Sequence, residues 1–225
     1  MAVFALVIKP LLMLVLGINI RRRALLPTSG PAIIVANHNS HLDTLTLMAL
    51  MPLRQLAKIR PVAAADYFLT NQWLKFIGLN ILGILPIERG GGAAATMRAC
   101  SAALDRGELL ILFPEGTRGE PERLATFKQG IAMIAQRHPD VPVTPVYLHG
   151  LGKALPRNTW LLVPFFCDAF VGERLRFTDE RQAAAGAQQS SASATQPVRP
   201  RDAYMRELER RMDELAREGA FPSWE

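Results

Sequence analysis

The sequence predicts one α/β domain with a mixed, largely parallel sheet flanked by helices, joined to an N-terminal membrane-associating helical segment. Three observations carry that expectation. Short, wholly apolar runs that read as buried strands alternate with segments of helical pattern, as in sheets built from strand–helix units. Polar segments rich in ionisable side chains directly follow two of those runs, where α/β sheets build their sites. At 225 residues, 49% hydrophobic and 20% charged, the chain can form one substantial core and is short for two.

Residues 2–20 are almost wholly apolar, interrupted by Lys9 and Pro10, and run into Arg21, Arg22 and Arg23. The basic cluster follows the apolar run and no small-residue cleavage site precedes it, unlike a secretory signal. A lysine in mid-segment costs about 2.5–3.5 kcal/mol on insertion scales, which argues against a full span. The expected arrangement is a helix lying in the membrane interface, with Lys9 reaching to the headgroups and the arginines beside anionic lipid. An ordinary buried N-terminal helix is the plainer alternative. If the segment does span, the positive-inside rule still places the domain in the cytoplasm.

Residues 31–36 (PAIIVA) read as a buried strand and 43–51 as a helix closed by Pro52. Residues 61–65 suggest a short strand, 74–82 a helix or its end, and 83–89 (GILPIER) a strand leaving a turn. Residues 93–105 are an alanine-rich helix candidate, and 108–113 (ELLILF) the clearest buried strand, stopped by Pro114. A helix over 128–138 and a strand over 141–148 follow. Residues 182–200 turn to Ala, Gln, Ser and Pro, which cannot bury enough surface to order themselves, so a flexible loop is expected. Residues 202–217 return as an amphipathic helix with Tyr204, Leu208, Met212 and Leu215 on one face, a stripe expected to pack on its own domain, with a second membrane contact as the alternative. The expected organisation is therefore a segment 1–20, a domain 21–181, a loop 182–200 and a C-terminal helix 201–225.

The net charge of +6 and pI near 9.8 favour an anionic partner. No nucleic-acid-binding motif is present, so an anionic membrane surface or a phosphorylated substrate is the better match. Cys100 and Cys167 do not make a disulfide framework, and His38, His41, His138 and His149 lack ligand spacing. The protein reads as cytosol-facing and metal-free.

Two constellations carry chemistry. Asn37-His-Asn-Ser-His-Leu-Asp43 follows the first predicted strand. An unbroken helix would set His38 and Asp43 about 140° apart, but with His38 in the loop and Asp43 in the first helical turn they can face each other. A carboxylate on one imidazole nitrogen fixes the tautomer and makes the other a base for a hydroxyl proton. Capping alone explains Ser40 as N-cap and Asp43 in the first turn, but leaves His38 without a reason. Phe113-Pro-Glu-Gly-Thr-Arg-Gly119 follows the strongest strand. Gly116 and Gly119 permit tight turns, Thr117 offers a hydroxyl, and Arg118 can fork onto phosphate oxygens. Arg89 closes a third segment where a second basic group could meet a phosphate.

Together these segments resemble the ordered blocks of the bacterial lysophosphatidic acid acyltransferase family of glycerolipid acyltransferases. Residues 37–43 match its N-H-x-S-x-x-D block, and residues 113–118 match F-P-E-G-T-R in full. Residues 83–89 resemble the block that ends in Arg, with Leu85-Pro86 where an aromatic often stands, and residues 141–147 resemble its proline-containing strand. The resemblance covers roughly residues 25–175.

It implies acyl transfer from acyl-CoA or acyl carrier protein to the sn-2 hydroxyl of lysophosphatidic acid at the cytoplasmic membrane, with no bound cofactor. His38 is implied as general base and Asp43 as its orienting partner. Arg89 and Arg118 would hold the acceptor phosphate, with Glu115, Gly116 and Thr117 shaping the loop and Lys128 as a weaker candidate. The absence of a G-x-S-x-G elbow favours direct transfer over an acyl-enzyme. Glycerol-3-phosphate or another lysolipid as acceptor, a lipid hydrolase, and a non-catalytic membrane adaptor are the rival readings.

Overall fold

Five consecutive residues, Ala32–Ala36, form strand β2 with no side chain exposed, because the strand has a neighbour on each side and a packed layer on each face. The computed structural model describes residues 2–65, 71–87, 93–155, 163–179 and 199–219. The other strands are β1 (Gly17–Arg21), β3 (Ile59–Ala64), β4 (Leu85–Ile87), β5 (Leu109–Leu112), β6 (Val143–His149) and β7 (Phe166–Val171). Among the described residues they form one sheet in the order β1-β7-β6-β2-β5-β3-β4. Every neighbouring pair is parallel except β6 with β7, so the sheet is mixed and largely parallel, as the sequence predicts.

The strand alternation divides the core into two layers. Ile34, Ala36, Leu109 and Ile111 face helix α2 (Leu42–Leu50) and the N-terminal helix. Ile33, Val35 and Leu110 face helices α4 (Ala93–Asp105), α5 (Gly130–Arg137) and α7 (Pro200–Gly219). Helix α7 buries Tyr204, Met205, Leu208, Met212 and Leu215, the predicted stripe with Met205 added. Between β3 and β4 lies α3 (Gln72–Phe76), which continues as a π-helical turn over Ile77–Ile81. The short helix α6 (Leu151–Ala154) follows β6.

The N-terminus departs from the sequence reading in two ways. A π-helical turn (Phe4–Ile8) leads into α1 (Lys9–Val15), but the chain then becomes extended at Leu16, and Gly17–Arg21 pairs with Phe166–Phe170 as an edge strand. The boundary expected at residue 20 therefore falls inside β1. A side chain on Gly17 would lie 2.7 Å from the Phe166 ring, so glycine lets that ring cross the strand. Lys9 does not reach outward either. Its ammonium donates to the carbonyl of Met51 at 2.9 Å, an acceptor left open because α2 has just ended. Phe4, Leu12 and Leu16 are buried against α2 and the sheet, while Leu6, Val7, Leu11 and Leu14 face solvent.

Two of the three clustered arginines have structural partners. Arg22, at φ 56°, donates to the Val171 carbonyl at 2.7 Å and forks onto Glu218 of α7 at 2.7 and 3.0 Å. That pairing holds the Glu218 carboxyl below its ordinary range. Arg21 lies 5.3 Å from the centre of the Phe170 ring. The expected loop over 182–200 lies outside the described residues, apart from its last two positions.

Pro145 sits inside β6, where a proline would ordinarily break a ladder. It is accommodated because the antiparallel pairing to β7 stops at Val146 and Val171, one residue short of Pro145. Beyond that point only the Pro145 carbonyl is used, accepting the N–H of Gly172 at 2.8 Å.

Candidate active site

Strands β2 and β5 are adjacent and parallel, with Val35 opposite Leu112, so the segments following them emerge side by side. This is the carboxyl edge of the sheet, where the two motifs meet. Asn37 is wholly buried and fastens the first segment to β6. Its amide donates to the Leu148 carbonyl at 2.9 Å and accepts the Leu148 N–H at 2.7 Å, taking over a strand's pairing after the strand has ended.

The next residues fold around one carboxylate. Asp43, in the first turn of α2, is fully buried, and its Oδ2 lies 2.9 Å from His38 Nδ1. The same oxygen accepts the N–H of Asn39 at 2.6 Å and of Ser40 at 2.8 Å. Two backbone donors and the ring nitrogen thus converge on a group that can only accept. That makes Nδ1 the protonated nitrogen of a neutral His38 and leaves the Nε2 lone pair free as a base. The His38 side chain is 21% exposed, so the ring is only partly covered. Its ring stacks on Phe113 with centroids 4.2 Å apart.

Ser40 contributes differently from expectation. The helix begins at Leu42 with His41 at the N-cap position, and the Ser40 hydroxyl accepts the Leu42 N–H at 3.3 Å. The carboxylate of Asp43 supplies the reach-back that caps this end, so the capping role and the contact to His38 coexist on one atom.

The second motif closes over the first. The His38 N–H donates to Glu115 Oε1 at 3.2 Å, and the Gly119 N–H donates to the His38 carbonyl at 2.9 Å. Glu115 is 4% exposed, so its carboxyl ties the two segments together and does not line open space. Burial pushes the Glu115 carboxyl up to about 7, and the nearby Asp43 charge adds to the rise; the backbone N–H groups of His38 and Ala125 oppose it. Asn39 is also clamped here. With its amide turned to suit its surroundings, the nitrogen faces the Glu120 carbonyl at 3.1 Å and the oxygen faces the Glu122 N–H at 3.0 Å.

Gly116 turns at φ 74°, and Thr117 is exposed at the tip of the turn. A side chain on Gly116 would overlap the end of Lys128, whose Cε would lie 2.8 Å away. Lys128 is exposed, and its own N–H holds the Pro114 carbonyl at 2.9 Å. Arg118 is half-buried, with Nη1 2.5 Å from His41 Nε2. Burial lowers the His41 pKa and the Arg118 charge lowers it further, so the imidazole is neutral and accepts from the guanidinium. A base and two cationic groups thus stand on adjoining segments.

A family model described as Acyltransferase matches residues 17–149, more than half of the chain. The chain belongs to the acyltransferase family.

Curated relatives of this acyltransferase include a chloroplast 1-acyl-sn-glycerol-3-phosphate acyltransferase of Arabidopsis thaliana. It is 32% identical over 147 residues, covering 63% of this chain and 38% of that one. The 1-acyl-sn-glycerol-3-phosphate acyltransferase of Helicobacter pylori is 33% identical over 126 residues, with 54% and 49% covered. The human enzyme of that name, form alpha, is 30% identical over 127 residues, with 54% and 42% covered. The match thus spans less than half the length of each of these relatives. The crystal structure of the lysophosphatidate acyltransferase PlsC from Thermotoga maritima superposes with a TM-score of 0.61 over 90% of this chain and 72% of that one. At 19% identity that likeness is one of fold.

Of the residues singled out in the sequence, the acyltransferase fold brings His38, Asp43, Glu115, Gly116 and Arg118 together, with Thr117 and Lys128 at the rim. Arg89 lies outside the described residues. Sequence reasoning missed the roles of Asn37, Phe113 and His41. The first two were in the quoted motifs, but nothing in the linear order says that one replaces a strand partner and the other stacks under the imidazole. His41 carried no signal beyond its proximity to His38.

Proposed function

We propose that this acyltransferase moves a fatty acyl group from an acyl thioester to the sn-2 hydroxyl of lysophosphatidic acid, giving phosphatidic acid. The observation that carries this reading is the His38 ring, held through Nδ1 by Asp43 at 2.9 Å and partly exposed, beside a segment bearing Arg118. The names of the relatives support the acceptor.

In this reading His38 Nε2 takes the proton of the acceptor hydroxyl as its oxygen attacks the thioester carbonyl carbon. The carbon–sulfur bond breaks as the tetrahedral intermediate collapses, and the imidazolium returns the proton to the departing thiolate. No acyl-enzyme forms. Asp43 keeps the proton on Nδ1 and stabilises the imidazolium; the stacked Phe113 fixes the ring plane. Arg118 and Lys128 take the acceptor phosphate, joined by Arg89 from the segment that follows β4. The donor is acyl-CoA or acyl carrier protein carrying the chain.

The enzyme works at the cytoplasmic face of the membrane, docked through residues 3–14, whose outward side chains are apolar. Among the described residues no helix is long and apolar enough to cross a bilayer. An interfacial attachment lets a lysophospholipid reach His38 without leaving the lipid phase.

The deciding experiment offers lysophosphatidic acid and glycerol-3-phosphate separately to the purified protein with one acyl-CoA, alongside His38→Ala. Phosphatidic acid from lysophosphatidic acid alone, lost by about a hundredfold or more in the variant, is the expected result. Near-normal turnover in the variant overturns the mechanism. Release of free fatty acid without acylated acceptor makes the protein a hydrolase instead.

A further inference from the structure

Residues 1–87 contain eight lysines and arginines but only two acidic residues, Asp43 and Asp66. The other eighteen of the chain's twenty carboxylate side chains follow residue 87. Asp43 is fully buried, so it adds little negative charge to the surface.

Among the described residues, the same stretch holds most of the large apolar side chains left in solvent. Leu6 is 77% exposed and Leu14 85% on the N-terminal helical segment, Leu53 is 58% exposed after α2, and Trp73 and Phe76 of α3 are 76% and 55% exposed. Ile77 and Leu79 continue the series along the turn that follows. Soluble monomers seldom keep so much apolar surface unless it has a partner. The buried residues next to these elements belong to one layer of the core. Leu82 and Ile84, which end the α3 region, are buried in the same cluster as Phe4, Leu12 and Leu16. Leu53 follows closely on Met51, whose carbonyl holds Lys9.

Exposed cations are interleaved with these groups. Arg54 and Lys58 follow the exposed Leu53 on the same short helical stretch, and Lys75 lies between Trp73 and Phe76. None of the three makes an ion pair among the described residues. A second copy of this face would bring like charges together. A bilayer with anionic headgroups takes apolar side chains at the acyl boundary and cations just above, with tryptophan favoured at that depth.

We propose that α3, the turn Ile77–Ile81 and Leu53 form a second membrane-docking element beside the N-terminal helix, selective for bilayers with anionic headgroups. The inference concerns attachment and holds whichever acceptor is acylated.

The test uses the full chain with Trp160→Phe and Trp224→Phe, which leaves Trp73 as the single tryptophan. Its emission is read on vesicles of phosphatidylcholine alone and of an equimolar mixture with phosphatidylglycerol, each made with plain or brominated acyl chains. A blue shift and quenching by brominated chains on the anionic vesicles, and weak effects on the neutral ones, is the expected result. In the otherwise natural chain, Trp73→Ser with Phe76→Ser lowers partitioning onto anionic vesicles roughly tenfold. Acyl transfer to lysophosphatidic acid in detergent micelles is unchanged. An unshifted Trp73 on protein that floats with the vesicles means that the N-terminal helix docks alone, and overturns the proposal. Equal effects on neutral vesicles overturn the headgroup selectivity. A shift that grows with protein concentration in the absence of lipid assigns the face to a second copy of the chain. Because vesicle binding is read without turnover, failure of the acyl-transfer reading leaves a separate signature.

Discussion

Asp43 holds His38 through the same carboxylate oxygen that closes the turn between β2 and α2. Oδ2 lies 2.9 Å from the ring Nδ1 and also accepts two backbone N–H groups, of Asn39 and Ser40. Local folding and ring orientation are thus one event, and neither can be altered at Asp43 without touching the other.

Asp43→Asn separates geometry from charge. An asparagine oxygen in the Oδ2 position can still accept the two backbone donors and the Nδ1–H, but the neutral amide no longer stabilises the imidazolium. Its NH2 group takes the buried Oδ1 position, which has no hydrogen-bond partner. The variant is expected to fold and to lose activity by about a hundredfold to ten-thousandfold in kcat, with little change in KM for the acceptor. Circular dichroism and steady-state kinetics on the same preparation check both halves.

Glu115 gives a pH signature in stability. Its folded-state pKa, pushed up to about 7, lies above the ordinary value of 4.5, so the folded protein holds this proton more tightly than the unfolded chain does. The contribution is complete below pH 4.5 and is lost as pH rises through about 7, a swing on the order of 3 kcal/mol. Denaturant unfolding of Glu115→Gln across this window should show a flatter pH profile than the natural protein. Parallel profiles would place the proton elsewhere.

Substitutions of Arg118 and Lys128 test the phosphate contact. Charge-assisted hydrogen bonds contribute about 1.5–3 kcal/mol, so Arg118→Ala should lower kcat/KM for lysophosphatidic acid roughly tenfold to a hundredfold. Most of the effect should fall on KM. Lys128→Ala should act in the same direction but less, since its ammonium stands at the exposed rim. An equal loss toward an acceptor lacking phosphate would show that neither cation reads that group.

Gly116→Ala probes the turn itself. The backbone there is left-handed at φ 74°, which costs a side-chain-bearing residue about 1–2 kcal/mol, and the new methyl would displace Lys128. A lower melting temperature together with a raised acceptor KM is expected. Gly107, also at positive φ but with open space around it, is the control, because its Ala variant should carry the strain without the kinetic effect.

The central strands, α2, α4 and α7 were legible because their apolar patterns are local and complete. Residues 32–36 and 109–112 contain hardly anything but branched aliphatics and alanine. Strands β1 and β7 were not. In β7, Asp168 interrupts an otherwise apolar run, and in β1 the alternation of Ile18 and Ile20 merges with the helix before it. β1 is made a strand by pairing with β7, across 149 residues of sequence, and β7 by lying between β1 and β6. At the site, the spacing in 37–43 foretold the meeting of His38 and Asp43, because a loop residue can face the first turn of the helix that follows it. Glu115 was expected to shape a substrate loop, but it is buried against the His38 backbone. Long-range contacts of that kind leave no period or spacing to read.

A single extended residue, Leu16, separates the last turn of α1 from the first pair of β1. There is no slack in that joint. Whatever grips residues 3–14 grips the whole sheet, and the helix behaves as a bracket where a tether would let the domain swing. The height and tilt of the carboxyl edge above any surface that α1 rests on are therefore set by covalent geometry. A few flexible residues inserted after Leu16 would turn the bracket into a hinge, leaving every side chain at His38 in place while its distance from that surface became a distribution.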